Sequence, residues 1–469
     1  MMRRVSMRPP LIDAREITAL QKGRFKLDCP EMRLVRSSSA SRRAFIGAGS
    51  ILQDSNYQLT FVLHSTDTYS ADQVIEDFRR LSSGQLGEII SDEDHYELVA
   101  TDVKGREWRS EDILPDIRQN RDDKLTTCSG KLYQINSTVP APTNTENLER
   151  SIKIFVGNSF RFPLNHSTMR ERKYKDKTIL PTANALYFKK GDIAFLLEKQ
   201  VKDRGFSIEA TGLELDENIQ IRLLETFQFL FARPILPMIV ALNSLHTSSI
   251  TIISRRERQT DSRLHPPLRL NISGITDDFC DLFRRYFDFV SLYHDPRFHP
   301  ISAQLNGVFY ASAGYFENQA VALSIAIESI LKDVFSTIGQ PNEHTMLELD
   351  KAISYIHEWN GDEVIRTRIE GAINAMRQTR ALDQLIALEE KKVITKDQRQ
   401  AWQKIRNKIA HTGRLDSIPI QKLNIYLDLL LVTLYHLIFY AIGYSGKYTD
   451  YSELGWLTKE YEIRKDGGE

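Results

Sequence analysis

The chain has few cysteines, no excess charge of either sign and almost no long apolar run, and each shortage closes off a class of protein. Cys29, Cys128 and Cys280 lie far apart and are odd in number. They form neither a disulfide framework nor a zinc knuckle, and they fit a reducing cytosol. The 62 Lys and Arg balance 62 Asp and Glu, so no global field draws the protein to nucleic acid or membrane. Any electrostatic footprint has to be local. Residues 1–10 are basic but lack an apolar h-region, so no secretory signal is read and a cytoplasmic location is expected. The one run apolar enough to suggest a span, Ile425 to Tyr444, is interrupted by Asp428 and His436. A buried core helix, with no membrane partner, is the expectation there. No Walker loop, nucleophile elbow or dinucleotide fingerprint occurs where a strand and helix would support it.

What is present is ordinary globular composition, 41% hydrophobic and 26% charged over 469 residues, enough for two or three domains. An α+β multidomain fold is expected. Residues 1–295 read as a β-rich region, with a sub-boundary near 137–149, and residues 300–469 as an all-α helical bundle. In the first part, Phe45 to Ser50 and Tyr57 to His64 flank Asp54-Ser55-Asn56 as a hairpin. Tyr96 to Val103 followed by Gly105 reads as a strand and turn. Ala185 to Phe188 and Ile193 to Leu197 bracket Lys189-Lys190-Gly191-Asp192 as a second hairpin. Ile250 to Ile253 is a short strand, and Asn218 to Ala232 has helical spacing. Ser137 to Glu149 is taken as a linker and Arg255 to Arg269 as an exposed connection. After Pro300 the apolar residues recur at three and four, predicting helices near 305–337, 345–357, 362–388, 395–412 and 418–443.

The 395–412 helix carries the chemistry of interest. Thr395 is its N-cap and Gly413 its C′ residue. At 100° per residue Trp402, Ile405 and Ile409 form an apolar stripe, with Arg406 at its edge and Asn407 and His411 on a face roughly opposite. His411 lies in the last turn, where the helix macrodipole favours imidazolium and so suits acid–base work. From Lys391 to Arg414 there are eight basic residues, among them Arg399, Lys404, Lys408 and Arg414, against the single acid Asp397. That is a local phosphate-attracting patch on a neutral chain. Taken alone, Arg-x4-His is a weak signal, and a solvated basic helix with a capping histidine is an equal reading of it. Arg406 and His411 are separated on one helix by about 140° and about 7.5 Å. They do not easily close on one phosphate from a single helix, whereas two copies about a two-fold axis can.

Arg406-Asn407-Lys408-Ile409-Ala410-His411 resembles the motif of the HEPN superfamily. The tail Ala441-Ile442-Gly443-Tyr444, with Gly446-Lys447-Tyr448, resembles the end of the ApeA-like group of HEPN proteins in bacterial anti-phage defence. Phe316 to Leu331, with Glu328 among aliphatics, is similar to that group's opening helix. The similarity covers residues 300–455. The front half, including Glu225-Thr226-Phe227-Gln228-Phe229-Leu230, is more loosely similar to the group's N-terminal domain. The resemblance implies a homodimeric helical domain, joined through its C-terminal helices, that cuts host RNA without a metal or cofactor in abortive infection, with tRNA a candidate species. In that chemistry the RNA 2′-OH attacks the adjacent phosphate. His411 is the general acid–base, Arg406 stabilises the phosphate charge, and Asn407 holds the imidazole or a phosphate oxygen. The products would be a 2′,3′-cyclic phosphate and a 5′-OH. Glu328 is a supporting residue that orients Arg406 or His411, read against a purely structural pairing. Lys404, Lys408, Arg399 and Arg414 would bind RNA, and the β-rich region would sense a phage protein as trigger.

Three rival constellations are weaker. Asp116 with Asp122-Asp123-Lys124 superficially matches a metal-nuclease pattern, but the spacing is too short and the surroundings are polar. His294, Asp295 and His299 fall at a Pro-flanked loop junction and are insufficient for a metal site. Ser91-Asp92-Glu93-Asp94-His95 reads as an acidic turn. Two other functional classes stay open: a non-catalytic RNA- or nucleotide-binding adaptor on the same helices, and a phage-protein sensor whose chemistry lies elsewhere.

Overall fold

A computed structural model of the chain describes residues 12–463, except 38–43, 67–90, 92–93, 121–124, 141–148, 158, 169–171, 175–176, 180–182, 201–204, 214, 216–217, 255–261, 263, 413–414 and 416–417; the side chains at 119–120, 172–174, 177–179 and 411–412 are likewise outside the description. The chain divides into two compact units, one of Met1–Phe160, Leu164–Asp216 and Leu236–Gln259, the other of Arg161–Pro163, Glu217–Ile235 and Thr260–Glu469. An antiparallel β region in the N-terminal half and a helical C-terminal region make an α+β multidomain protein.

The first unit is built on alternation. β1 (Lys26–Arg36), β3 (Leu59–Ser65) and β4 (Tyr96–Thr101) alternate buried and open positions along their length, which commits one face of each to a core. Leu34, Phe61, Leu63 and Ile51 are fully buried there. Turn chemistry sets the register. Between β2 (Ala44–Gln53) and β3, the Asp54 carboxylate accepts the amides of Asn56 and Gln58, both at 2.8 Å, an Asx-type turn. Between β12 (Ala185–Lys190) and β13 (Ile193–Lys199), Gly191 takes φ +53° and Lys190 pairs with Ile193, the two-residue hairpin that a positive φ permits. Among the described residues fourteen strands form one sheet. Its two seven-strand halves meet through β5 (Glu107–Ile113) and β8 (Gln134–Pro140), where the single pair is Arg109 with Asn136.

A short helix, α1 (Ala14–Gln21), lies in the same unit. Asp13 caps it through the Glu16 amide, and Lys104 and Arg106 from the β4–β5 turn bind its carboxylates. Asp102 anchors that turn by accepting the amides of Lys104 and Arg106 and the Trp108 indole.

The helical unit centres on two apolar helices. α2 (Ile219–Phe231) is buried from Arg222 through Phe231. Its Phe227 and Phe229 pack on Phe283 and Tyr286 of α3 (Thr276–Ser291). α4 (Pro300–Ser312) and α5 (Phe316–Val334) follow, then α6 (Glu343–Glu358), α7 (Glu363–Met376), α8 (Ala381–Glu390), α9 (Lys396–Thr412) and α10 (Ile420–Ile442). α10 is long and apolar enough to cross a membrane, yet 67% of its apolar window is buried inside the protein. Leu430, Leu434 and Ile438 are fully buried, so it serves as the core helix expected from its interrupting Asp428 and His436.

The structure departs from the sequence expectations at several places. The run 305–337 is two helices, broken at Ala313-Gly314-Tyr315, and 362–388 is two, broken at 377–380. The region after Pro300 is not all-α: β17 (Gly446–Asp450) and β18 (Leu457–Tyr461) form a hairpin. Residues 276–291, within the region read as β-rich, form α3. Ser137 to Pro140 belongs to β8 rather than to a linker, and 141–148 lies outside the described residues. Leu264 and Leu268 are buried, and the carbonyls of His265 and Pro266 accept the hydroxyls of Tyr435 and Tyr451. That part of 255–269 is therefore packed chain, not an exposed connection. The division between the units accordingly falls elsewhere than at 295–300, because α2 and α3 group with the later helices.

Candidate functional site

α9 begins where the sequence places its cap. The Thr395 hydroxyl accepts the Gln398 amide at 3.3 Å, and the Gln398 side chain accepts the Thr395 amide at 2.7 Å, a reciprocal capping box. Its inner stripe is set by Trp402 and Ile405, both buried. The Trp402 indole donates to the Ser324 carbonyl of α5 at 3.3 Å. Ile409, the third member of the expected stripe, is half-buried.

This packing brings α5 alongside α9 and places Glu328 against Arg406. Arg406 Nε donates to Glu328 Oε2 at 2.8 Å, and the two side chains remain 39% and 43% exposed. Among the described residues the terminal guanidinium nitrogens of Arg406 have no hydrogen-bond partner. The guanidinium is thus anchored at one nitrogen and open at its fork, the edge that binds a phosphate or carboxylate in bidentate fashion. Asn407 and Ala410 are exposed beside it. Position 411 lies in the last turn of α9, and the helix is unbroken from Arg406 to it, so the separation of about 140° and about 7.5 Å stands.

The other basic positions of the patch differ from one another. Lys404 is exposed, with its ammonium 5.6 Å from the ring centroid of Tyr426. Lys408 is half-buried. Arg399 is bound to Glu389 and is only 17% exposed, so its charge is already neutralised within the fold. Gly413 and Arg414 lie outside the described residues.

The rival constellations take structural roles where they are described. Asp116, on β6 (Asp116–Asn120), pairs with Arg118 of its own strand, and 121–124 lies outside the described residues. At the 294–299 junction the His294 carbonyl accepts the Asn218 side-chain amide at 3.2 Å. Asp295 grips Arg297, which holds the Asp295 carboxyl down at about 2. His299 caps α4 by accepting the Ile301 amide at 3.2 Å; burial, with Arg222 nearby, pushes its pKa down to about 4. Asp94 pairs with Arg36 in the 91–95 turn, of which 92–93 is outside the description. Among the described residues no three His, Cys, Asp or Glu side chains group as a metal site.

The sequence reading missed the polar residues behind α9. His436 of α10 is buried, with its ring 3.4 Å from the Gln398 side-chain amide, and burial depresses its pKa to about 4. Asp428 is pushed up to about 6 by burial and by Asp450. Both interrupt an apolar run, which is the signal that could have marked them as neighbours of a polar cleft. No family model, no curated protein and no solved structure matches this chain.

Proposed function

We propose that the helical unit is a HEPN-type ribonuclease domain of the ApeA-like group, acting as a homodimer on host RNA in anti-phage defence. The observation that carries the catalytic reading is the Arg406–Glu328 pair: a partly exposed guanidinium, fixed at Nε, with its fork open on the helix that also bears His411. Such a group stabilises charge developing on a phosphate and is pre-organised before substrate arrives. In the reaction the 2′-OH loses its proton to a general base and its oxygen attacks phosphorus. The bond from phosphorus to the 5′-oxygen then breaks, and that oxygen takes up a proton. His411 supplies the proton transfers. The products are a 2′,3′-cyclic phosphate and a 5′-OH. The separation along α9 supports a site shared between two copies. The resemblance, not the geometry, carries the assignment to defence and the sensor role of the β-rich unit.

The test incubates purified protein with tRNA in excess EDTA and maps the cut ends. Cleavage by the parent is expected, with at least a ~100-fold loss in Arg406→Ala and in His411→Ala. RNA bound tightly but left intact by the parent would select the adaptor reading. A protein that sediments as a monomer while cutting at full rate would exclude the shared site.

A further inference from the structure

A cleft of about 450 Å³ opens between α9, α10 and the β17–β18 hairpin, within the ~300–1,000 Å³ typical of small-ligand pockets. Gln400, Ala401 and Lys404 line it from α9, Tyr426 from α10, and Tyr448 and Asp450 from the hairpin. The walls thus combine aromatic rings with polar and charged groups. Tyr426 and Tyr448 are themselves buried in the fold, so they are rigid. Burial works against the Asp450 carboxylate, but Ser452 and Lys459 hold its pKa below the ordinary value, so it is a fixed acceptor. Lys404, on its flexible stem, covers the Tyr426 ring.

The position of the cleft along α9 matters as much as its lining. Asp397, Gln400, Ala401 and Lys404 form a single row on the helix. At 100° per residue that row continues through positions 408 and 411, position 411 falling about 20° from Lys404 and about 10.5 Å further along the axis. Arg406 lies about 200° from Lys404, on another side. The cleft therefore shares its face of α9 with position 411, the residue assigned the proton transfers.

We infer that this cleft holds one unstacked base of single-stranded RNA, flanking the bond that is cut; this rests on the ribonuclease reading. Sequence-tolerant RNA recognition stacks splayed bases on aromatic side chains and adds hydrogen bonds at their edges. Tyr426 offers a stacking face once Lys404 swings to a backbone phosphate. The Gln400 side-chain amide offers both a donor and an acceptor to the base edge. A nucleotide seated here directs the adjoining backbone along the 404–408–411 row. The cleft would then determine which nucleotide stands at a fixed distance from the scissile phosphate.

The test uses the full chain and a fluorescent single-stranded octaribonucleotide carrying one abasic residue at each position in turn. Binding is measured in the non-cleaving His411→Ala background, and cleavage of the same RNAs with the parent. One position is expected to lose about tenfold in affinity when abasic. Gln400→Trp, which fills the cleft from a half-buried position, should lose the same factor on intact RNA and nothing more on that abasic RNA. Lys404→Ala, at an exposed position, provides a second variant with no core to disturb and should lose about threefold through its phosphate contact. A flat abasic scan, or folded Gln400→Trp and Lys404→Ala that bind like the parent, overturns the subsite. RNA that is cut with a flat scan removes the subsite and leaves the ribonuclease reading. A position-specific loss in binding with no cleavage by the parent does the reverse.

Discussion

Two of the arginine–glutamate pairs in the helical unit, Arg222–Glu225 and Arg406–Glu328, have the same chemistry in opposite environments. Arg222 and Glu225, one turn apart on α2, meet at 2.6 Å with side chains 1% and 0% exposed. Arg222 also donates to the carbonyls of Asp295 and Arg297, and Glu225 accepts the His299 amide. The hydrogen bonds of that pair tie α2 to the 295–299 turn, while Arg222 Nε is buried without a partner among the described residues. Arg406 and Glu328 meet at 2.8 Å through one nitrogen, 39% and 43% exposed. The comparison separates a pair that organises the fold from one that presents charge. Desolvated charges depend on the partners that the fold supplies, whereas a half-solvated guanidinium can exchange water for a phosphate.

Breaking the buried pair should have the largest effect. Arg222→Ala leaves Glu225 buried and uncompensated, and burial already raises the Glu225 pKa despite Arg222. Urea unfolding of this variant should show a loss of about 3–5 kcal/mol; a loss below about 1 kcal/mol would show that the site relaxes to admit water. The exposed pair should invert this pattern. Arg406→Ala should cost at most about 1 kcal/mol of stability while reducing RNA cleavage by about 100-fold or more. A variant that loses stability and activity in step would make Arg406 another fold-organising arginine.

Glu328→Gln sharpens the contrast further. It keeps an acceptor for Arg406 Nε but removes the charge that fixes the guanidinium. The turnover number should fall on the order of tenfold, by loosened geometry, with KM and the melting temperature little changed. A rise in turnover would mean that Glu328 competes with the phosphate for Arg406 rather than positioning it.

The smallest expected effect concerns Asp428, pushed up to about 6 by burial and by Asp450. A carboxyl whose folded pKa lies above its unfolded value binds more protons in the folded state. Its stabilising contribution is present at low pH and is lost as pH rises through about 4 to 6. Asp428→Asn should therefore stabilise the protein at pH 7, by no more than about 1 kcal/mol after solvent screening, and the gain should vanish near pH 4. Paired thermal melts at the two pH values read it. A gain equal at both would put its cause in something other than ionisation.

Much of the local structure was legible because local chemistry dictates it. Asp54, Gly191 and the Thr395–Gln398 box act within four residues of themselves, so hairpins and a helix start could be read directly. The 219–231 helix showed its period. The 276–291 helix shows one too, in Phe279, Leu282, Phe283, Tyr286, Phe287 and Val290. Its aromatic residues also carry strand propensity, so composition alone does not set the segment apart from the β-rich region before it. The β17–β18 hairpin is short, and the buried positions of β17, Tyr448, Thr449 and Asp450, are consecutive rather than alternating, so no two-residue period marks it.

By itself the sequence determined where α9 starts, which of its faces is apolar, and that Arg406 and position 411 do not easily converge from a single helix. Those are consequences of helical geometry and capping alone. The tertiary structure decided which charges are left available. Arg399 and Arg406 sit two turns apart in one basic run, yet Glu389 largely buries the first while Glu328 leaves the second's fork open. It also assembled the cleft from α9, α10 and a hairpin that follows them in the chain. Burial and ion pairing depend on which distant segments pack together, and no periodicity within a helix encodes that.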